Sequence, residues 1–385
     1  MHGRRVPESR TPDLVVVAPL GAPGARPRLE KMIRIAAAQG RRIEYWGWRR
    51  SADDDMGARL EGMVATRTLL GGGAHRGRWL RLLYPVWPLI VFWHVLRHGP
   101  RNVFALGLET ALGVWAASLL RRVRYIFDDA DRLVMLINAP GPIDALLRWL
   151  ERRVSARSAA HILPALERYE YRTPAMRLIP NTPDDDLLAA AEAVPVERPD
   201  ARLVVYVNGW LVEDRGIGWI RAVAERLGPS RSIRFILAGR IDNQESERLC
   251  ALGTVDCLGK VSQPAAIAWY RAADLVATFY DPAQPINRYA ASNKWGDAVF
   301  TATGIIMNEE VVTGRPLVEA GAALALRYGD VDALEAALVS LAEDPARLDA
   351  LKRAAAAQRA SFPPYREAME AALDTLDPHG LHLER

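Results

Sequence analysis

The chain has 385 residues, half of them hydrophobic and a quarter charged, which suits about two globular domains and excludes a disordered chain. Against 46 acidic residues stand 50 basic ones, a formal net charge of +4 that is too small to indicate a nucleic-acid binder. The arginines are unevenly spread, with Arg41, Arg42, Arg49, Arg50, Arg97, Arg101, Arg121, Arg122 and Arg124 all in the first third.

Two cysteines, Cys250 and Cys257, lack the CxxC spacing and neighbouring histidines of a metal site, so both are expected as reduced thiols of a cytoplasmic protein and no metal site is expected. Residues 1–10 are polar and charged, without the apolar core of an export signal. The longest nearly apolar run, 82–96, is shorter than the ~20 residues that span a bilayer and contains Pro85 and Pro88.

In chain order, 14–18 reads as a buried strand, 19–27 as a loop rich in glycine and proline, 28–39 as a helix and 42–46 as a second strand. Residues 76–101 combine five arginines with Trp79, Tyr84, Trp87, Phe92 and Trp93 and carry no acid. Aromatic and arginine side chains together suit a segment lying on an anionic leaflet, and Arg76, Arg78, Trp79 and Arg81 are the candidates for that contact. A core helix with a basic rim is the competing reading. Strands follow at 103–106 and 125–127, separated by a helix over 109–120. Glu109 begins that helix, and Asp128, Asp129 and Asp131 follow the second strand. Carboxylates at the C-terminal ends of parallel strands face the crevice where ligands bind, and three so close require a raised pKa or a nearby cation. Asp129 could equally complement the next helix N-terminus. His161, opening a strand over 161–163, reads as structural.

The prolines and acids of 178–186 mark a hinge. Beyond it, strands at 203–207, 233–238, 255–258, 275–279 and 305–307 alternate with helices, which implies a second parallel sheet with right-handed crossovers. Helices over 331–343, 345–358 and 365–376 close the chain.

The stretch 290–307 organises this half. Ser292 and Asn293 suit a helix start, Lys294 and Asp297 fall on one face, and Gly304 precedes a short apolar strand. The first amides of a helix lack partners and its dipole is positive there, so a diphosphate could dock with Lys294 as counter-charge while Asp297 accepts bonds from ribose hydroxyls. Ordinary capping chemistry is the alternative.

With these residues in view, the second half resembles the donor domain of GT-B glycosyltransferases, in the large family numbered four and its relatives. The resemblance rests on Tyr206-Val207-Asn208-Gly209-Trp210 with Arg215-Gly216-Ile217, Leu237-Ala238-Gly239-Arg240, Gly259-Lys260-Val261, the stretch from Ala290 and Tyr328-Gly329-Asp330. It implies two Rossmann-like α/β domains facing a central cleft: an acceptor-binding domain over 1–183, a donor-binding domain over 184–362, and a C-terminal helix, 363–385, with the option of crossing back to the first. It further implies a nucleotide diphosphate sugar as co-substrate, with no other cofactor. Ser292, Asn293, Arg215 and Lys294 would hold the diphosphate, Gly209 would let it approach the backbone, Asp297 would take the ribose, and Gly239-Arg240 with Lys260-Val261 would frame the base. Asp131 or Asp128 would be the general base for the acceptor hydroxyl if the reaction inverts and would position it if the reaction retains, with Glu109 toward the acceptor or membrane. Departures are Trp210 where relatives carry a cation, Asp297 for a longer glutamate and Ala130 where many carry histidine. They leave retaining and inverting chemistry both open. The expected activity is metal-independent hexosyl transfer to a glycan or lipid-linked acceptor in polysaccharide biosynthesis, with peripheral contact at the cytoplasmic face of the inner membrane. An epimerase or phosphorylase of the same architecture, or a non-catalytic nucleotide-binding subunit, are the alternatives.

Overall fold

The computed structural model describes residues 11–50, 60, 62–72, 83–137, 139–228 and 232–377. Contacts divide the chain into a first unit, Met1–Ile179 with Arg366–Arg385, and a second, Pro180–Tyr365.

The first unit is a seven-stranded parallel sheet in the order β3-β2-β1-β4-β5-β6-β7. The strands are β1 Leu14–Ala18, β2 Ile43–Arg49, β3 Val64–Gly71, β4 Asn102–Leu106, β5 Arg124–Asp128, β6 Ala160–Leu163 and β7 Met176–Leu178. All five residues of β1 are fully buried, as expected of a central strand covered on both faces. The helices are α1 Pro27–Ala38, α2 Trp87–His98, α3 Leu108–Ser118, α4 Leu133–Ile137 and α5 Gly141–Arg157. Helix α2 packs on α3 and α3 on α5. Gly113 makes the first of these approaches possible, since a Cβ there would sit 2.4 Å from the Pro88 carbonyl oxygen. Arg41, buried, pairs with Asp377 at 2.6 Å and Asp374 at 3.3 Å, which ties the C-terminal segment to this unit.

The second unit is a six-stranded parallel sheet in the order β10-β9-β8-β11-β12-β13. Its strands are β8 Leu203–Trp210, β9 Ile233–Arg240, β10 Val255–Gly259, β11 Leu275–Thr278, β12 Gly304–Asn308 and β13 Ala323–Leu326. Its helices are α6 Asp185–Glu192, α7 Ile217–Leu227, α8 Gln244–Cys250, α9 Gln263–Ala272, α10 Asn293–Thr301, α11 Arg315–Glu319, α12 Val331–Glu343 and α13 Pro345–Ala357; α14, Tyr365–Asp374, follows at the return to the first unit. Inward residues of β8 alternate between two apolar layers: Leu203, Val205 and Val207 face one, Val204 and Tyr206 the other.

The two cysteines are not free thiols. Cys250 ends α8, Cys257 lies on edge strand β10, and the fold joins them as a disulfide with Cα atoms 5.6 Å apart. No helix of the described residues is long and apolar enough to cross a membrane.

Candidate functional site

In the second unit the chain runs from β8 outward through β9 and β10, then returns to the other side of β8 with β11. Loops leaving β8 and β11 therefore diverge, which opens a crevice at the C-terminal ends of these two strands. A pocket lies there, lined by Asn208, Trp210, Arg215, Thr278, Tyr280 and Lys294 among others, and none of the described residues that line it is acidic.

Backbone approach sets the pocket floor. Gly209, next to last in β8, has φ +100°, in the left-handed region that glycine tolerates, and is in register with Gly239 of β9. A Cβ on Gly239 would sit 1.8 Å from the Gly209 carbonyl oxygen, so no side chain fits. Lys294 reaches over this floor from the first turn of α10. Its Nζ lies 3.5 Å from where a Cβ on Gly209 would stand. Arg215 lines the same pocket, its guanidinium 4.5 Å from the Tyr280 ring centroid and 3.5 Å from Asn287 Oδ1.

Two contacts fix α10. Trp295 Nε1 donates to Thr278 Oγ1 at 2.9 Å, and Gly296 admits the Thr182 methyl, 3.1 Å from where a Cβ would lie. Its start, like those of α7 and α11, lacks a side-chain cap bond. Asp184, Asn243, Ser262, Asp330 and Asp344 cap α6, α8, α9, α12 and α13 with side-chain bonds. Ser292, a good capping residue at the same position of α10, makes no such bond, and its buried Oγ has no partner. The expected cap by Ser292 and Asn293 is thus not formed. Trp295 N is bonded to Ser292 O at 3.3 Å, which leaves the amides of Asn293 and Lys294 available, beside an ammonium that none of the described residues pairs. One turn on, Asp297 lies near Tyr206 and Tyr270; burial, with this charge adding to it, pushes both phenols up.

The first unit reverses direction between β1 and β4, and charged groups gather at that edge. Gly107 follows β4 with φ +81°; a Cβ there would lie 2.6 Å from a Glu109 carboxylate oxygen, so glycine is what lets Glu109 fold back. Glu109 is buried, accepts from Tyr84 Oη at 2.9 Å, and is pushed above the usual carboxylate range by desolvation. Arg26 and Asp131 pair on the rim at 2.7 Å. Asp128 is fully buried with both oxygens on Arg28 Nε, at 3.1 and 3.2 Å, and burial outweighs Arg28 to raise its pKa. Asp129 is also enclosed. Tyr169 Oη donates to it at 2.6 Å, and burial, then the Glu151 charge, raise it well above normal.

No family model matches the chain, and no curated protein matches it in sequence. Solved structures do match. Sucrose-phosphate synthase from Thermosynechococcus elongatus has a TM-score of 0.71 at 16% identity, over 94% of this chain and 97% of that one. Anabaena HepE, solved with UDP and glucose, has 0.67 at 16%, over 95% and 99%. A Listeria monocytogenes protein provisionally assigned as a UDP-N-acetylglucosamine 2-epimerase has 0.64 at 11%, over 98% of both. At these identities the likeness establishes architecture. The chain has the GT-B fold.

Within this GT-B chain the expected donor residues fall at or just beyond strand ends of one sheet and at the start of α10. Gly209 and Gly239 are adjacent, Lys294 and Arg215 line one pocket, and Lys260 and Val261 follow β10 beside the end of β9. Arg240 is paired with Asp242 at 2.9 Å. In the first unit Asp131 is at the rim, whereas Asp128 is enclosed. Arg76, Arg78, Trp79 and Arg81 lie outside the described residues. Residues that sequence reasoning passed over are Arg26 and Arg28, which answer the acids, and Tyr280, which carries Arg215. Asn308 was also missed: fully buried, it accepts from Tyr280 N at 2.8 Å and donates to Tyr280 O at 3.1 Å and Glu310 at 2.8 Å, holding the ends of β11 and β12 together. A lone asparagine closing an apolar strand was the available signal.

Proposed function

We propose that this protein is a glycosyltransferase moving a hexose from a nucleotide diphosphate sugar to a hydroxyl of a lipid-linked or otherwise membrane-held glycan, in polysaccharide biosynthesis at the cytoplasmic face of a membrane. One observation carries the reading: an unpaired Lys294 ammonium stands over the glycine floor of a crevice without lining acids, beside the uncapped start of α10. A diphosphate is the ligand class that such a site suits, and GT-B neighbours solved with UDP and with UDP-glucose support it.

In this mechanism Lys294, Arg215 and the first amides of α10 stabilise charge that develops on the departing diphosphate. These fixed donors supply the leaving-group stabilisation. Asp297 accepts from the ribose hydroxyls, and the ends of β9 and β10 flank the base. We assign proton acceptance from the acceptor hydroxyl to Asp131, which is at the surface, and a positioning role on Arg28 to enclosed Asp128.

The test is calorimetric titration of UDP and UDP-sugars into wild type and Lys294→Ala. Saturable binding that the substitution abolishes is expected, and unaltered binding by the folded variant would remove the site. The epimerase likeness gives a second reading. Isomerised sugar nucleotide formed without any acceptor would favour it.

A further inference from the structure

The outward side of the first unit's helical layer is apolar where a soluble surface is ordinarily polar. On α5, Ile143, Leu146 and Trp149 recur at helical spacing and are about half exposed, the last two at 54% and 50%. Leu136, on the short α4 immediately before, is exposed as well. Trp93 and Leu89 on α2 add 62% and 66% exposure on the same layer of α2, α3 and α5. Isolated exposed leucines need no explanation, but two tryptophans and several aliphatic side chains on one layer do.

Charge on α5 follows the apolar stripe in a definite order. One turn beyond Trp149 stand exposed Arg152 and Arg153, and the Arg153 guanidinium lies 5.3 Å from the Trp149 ring centroid. The helix's own carboxylates are withdrawn: Glu151 is fully buried against Arg132, and Asp144 is bonded to Arg148 at 2.6 Å. What faces outward is therefore apolar in the first turns and cationic in the last. That gradient along one helix matches the depth gradient of a leaflet, from the acyl boundary to the phosphate level, with tryptophan between. The apolar core of a protein interface would instead be depleted in charge.

We propose that the face made by α4 and α5 and extended by α2 seats the protein on an anionic lipid surface, with Leu146 and Trp149 inserted and Arg152 and Arg153 at the phosphates. This rests on the reading of a membrane-held acceptor and names the surface that would bring the enzyme to it. It extends the candidate membrane contact from 76–101 to α5.

The experiment is flotation of the full chain with phosphatidylcholine vesicles, with and without phosphatidylglycerol. Binding to the anionic vesicles only, falling roughly tenfold or more in Arg152→Glu/Arg153→Glu and in Leu146→Gln/Trp149→Gln, is expected. Both variants should keep the UDP-induced thermal shift of wild type, which shows that they fold. Absence of wild-type binding, or equal binding by both variants, overturns the proposal. So does a lipid-free dimer, by light scattering, that dissociates in the Leu146→Gln/Trp149→Gln variant, because the apolar face would then belong to a second copy. Failure here with the UDP shift intact leaves the donor reading standing; vesicle binding without any UDP shift does the reverse.

Discussion

The two units share a parallel-sheet plan and a switch point, yet they treat charge at the carboxyl edge in opposite ways. In the first, every enclosed acid has a neighbour: Asp128 has Arg28, Glu109 has Tyr84, Asp129 has Tyr169. In the second, the Lys294 ammonium has none among the described residues, and the helix that presents it is left uncapped. A charge with its partner inside the protein contributes to the native state; one left without is available to a ligand. Substitutions should separate the two classes by stability and activity.

The largest effect belongs to the paired class. Arg132 is fully buried, bonded to Glu151 at 2.8 Å and Glu170 at 2.9 Å, with Tyr169 4.6 Å beneath it. Arg132→Ala leaves Glu151 charged and enclosed, and should cost ~3–5 kcal/mol in urea unfolding. Combining Arg132→Met with Glu151→Leu removes both charges and should recover much of that loss. Equal damage from the single and double variants would show that packing, not charge, is responsible.

Lys294→Ala should show the inverse pattern. Turnover of a nucleotide sugar falls ~10²–10³-fold, with little change in urea midpoint, because no internal bond is broken. Stability lost in proportion to activity would return Lys294 to the structural class and dissolve the contrast.

Next in size is a pH effect in the first unit. His161 stacks on Phe127 at 4.3 Å, bonds Ser155 Oγ through Nδ1 at 2.9 Å, and is pushed from 6.5 down to about 3 by burial and then by Arg132. Its folded pKa lies below its unfolded one, so its contribution is complete above pH 6.5 and is lost as pH falls toward 3. At around pH 4.5 the loss is ~2–3 kcal/mol. The buried acids, raised by desolvation, act in the opposite direction, so the measurement is a difference: His161→Gln should flatten the slope of stability against pH relative to wild type. Parallel slopes would mean that the imidazole takes up its proton alike in the folded and unfolded states.

Where the sequence was legible, local pattern and tertiary role agreed. Val15–Val17 and Val204–Val207 are apolar runs because both faces of a central strand are covered, and the helix over 331–343 was read with the limits it has. Three of the four edge strands, β3, β7 and β13, escaped, while β10 was read. β3 carries Thr66, Arg67 and Thr68 on a largely exposed edge, and β13 is Ala-Leu-Ala-Leu, without a β-branched residue. The disulfide escaped for another reason: one cysteine ends a helix and the other lies on a strand, and only packing brings them together. At the candidate site, Lys294 could be read from its place at a helix start, and Arg215 and Gly209 through the GT-B resemblance; the fold puts Arg215 and Lys294 on one pocket and Gly209 beneath Lys294. Arg26 and Arg28 could not, since their partners are more than 90 residues away, at Asp131 and Asp128.

The smallest effect tests the start of α10 directly. Asp330 caps α12 through a bond from Ala333 N at 2.9 Å, so Asp330→Ala should lower stability by ~1 kcal/mol and leave UDP binding alone. Ser292→Ala breaks no bond within the fold and should shift the urea midpoint hardly at all. If its unpartnered Oγ serves the diphosphate, the same substitution weakens UDP roughly three- to tenfold, the worth of one hydrogen bond of ~0.5–1.5 kcal/mol. Two capping residues would then differ in what they cap, one its own helix and the other a ligand. A Ser292→Ala variant that is destabilised like Asp330→Ala yet binds UDP normally would instead make α10 an ordinary capped helix, and the unpaired Lys294 would lose the amides expected to act with it.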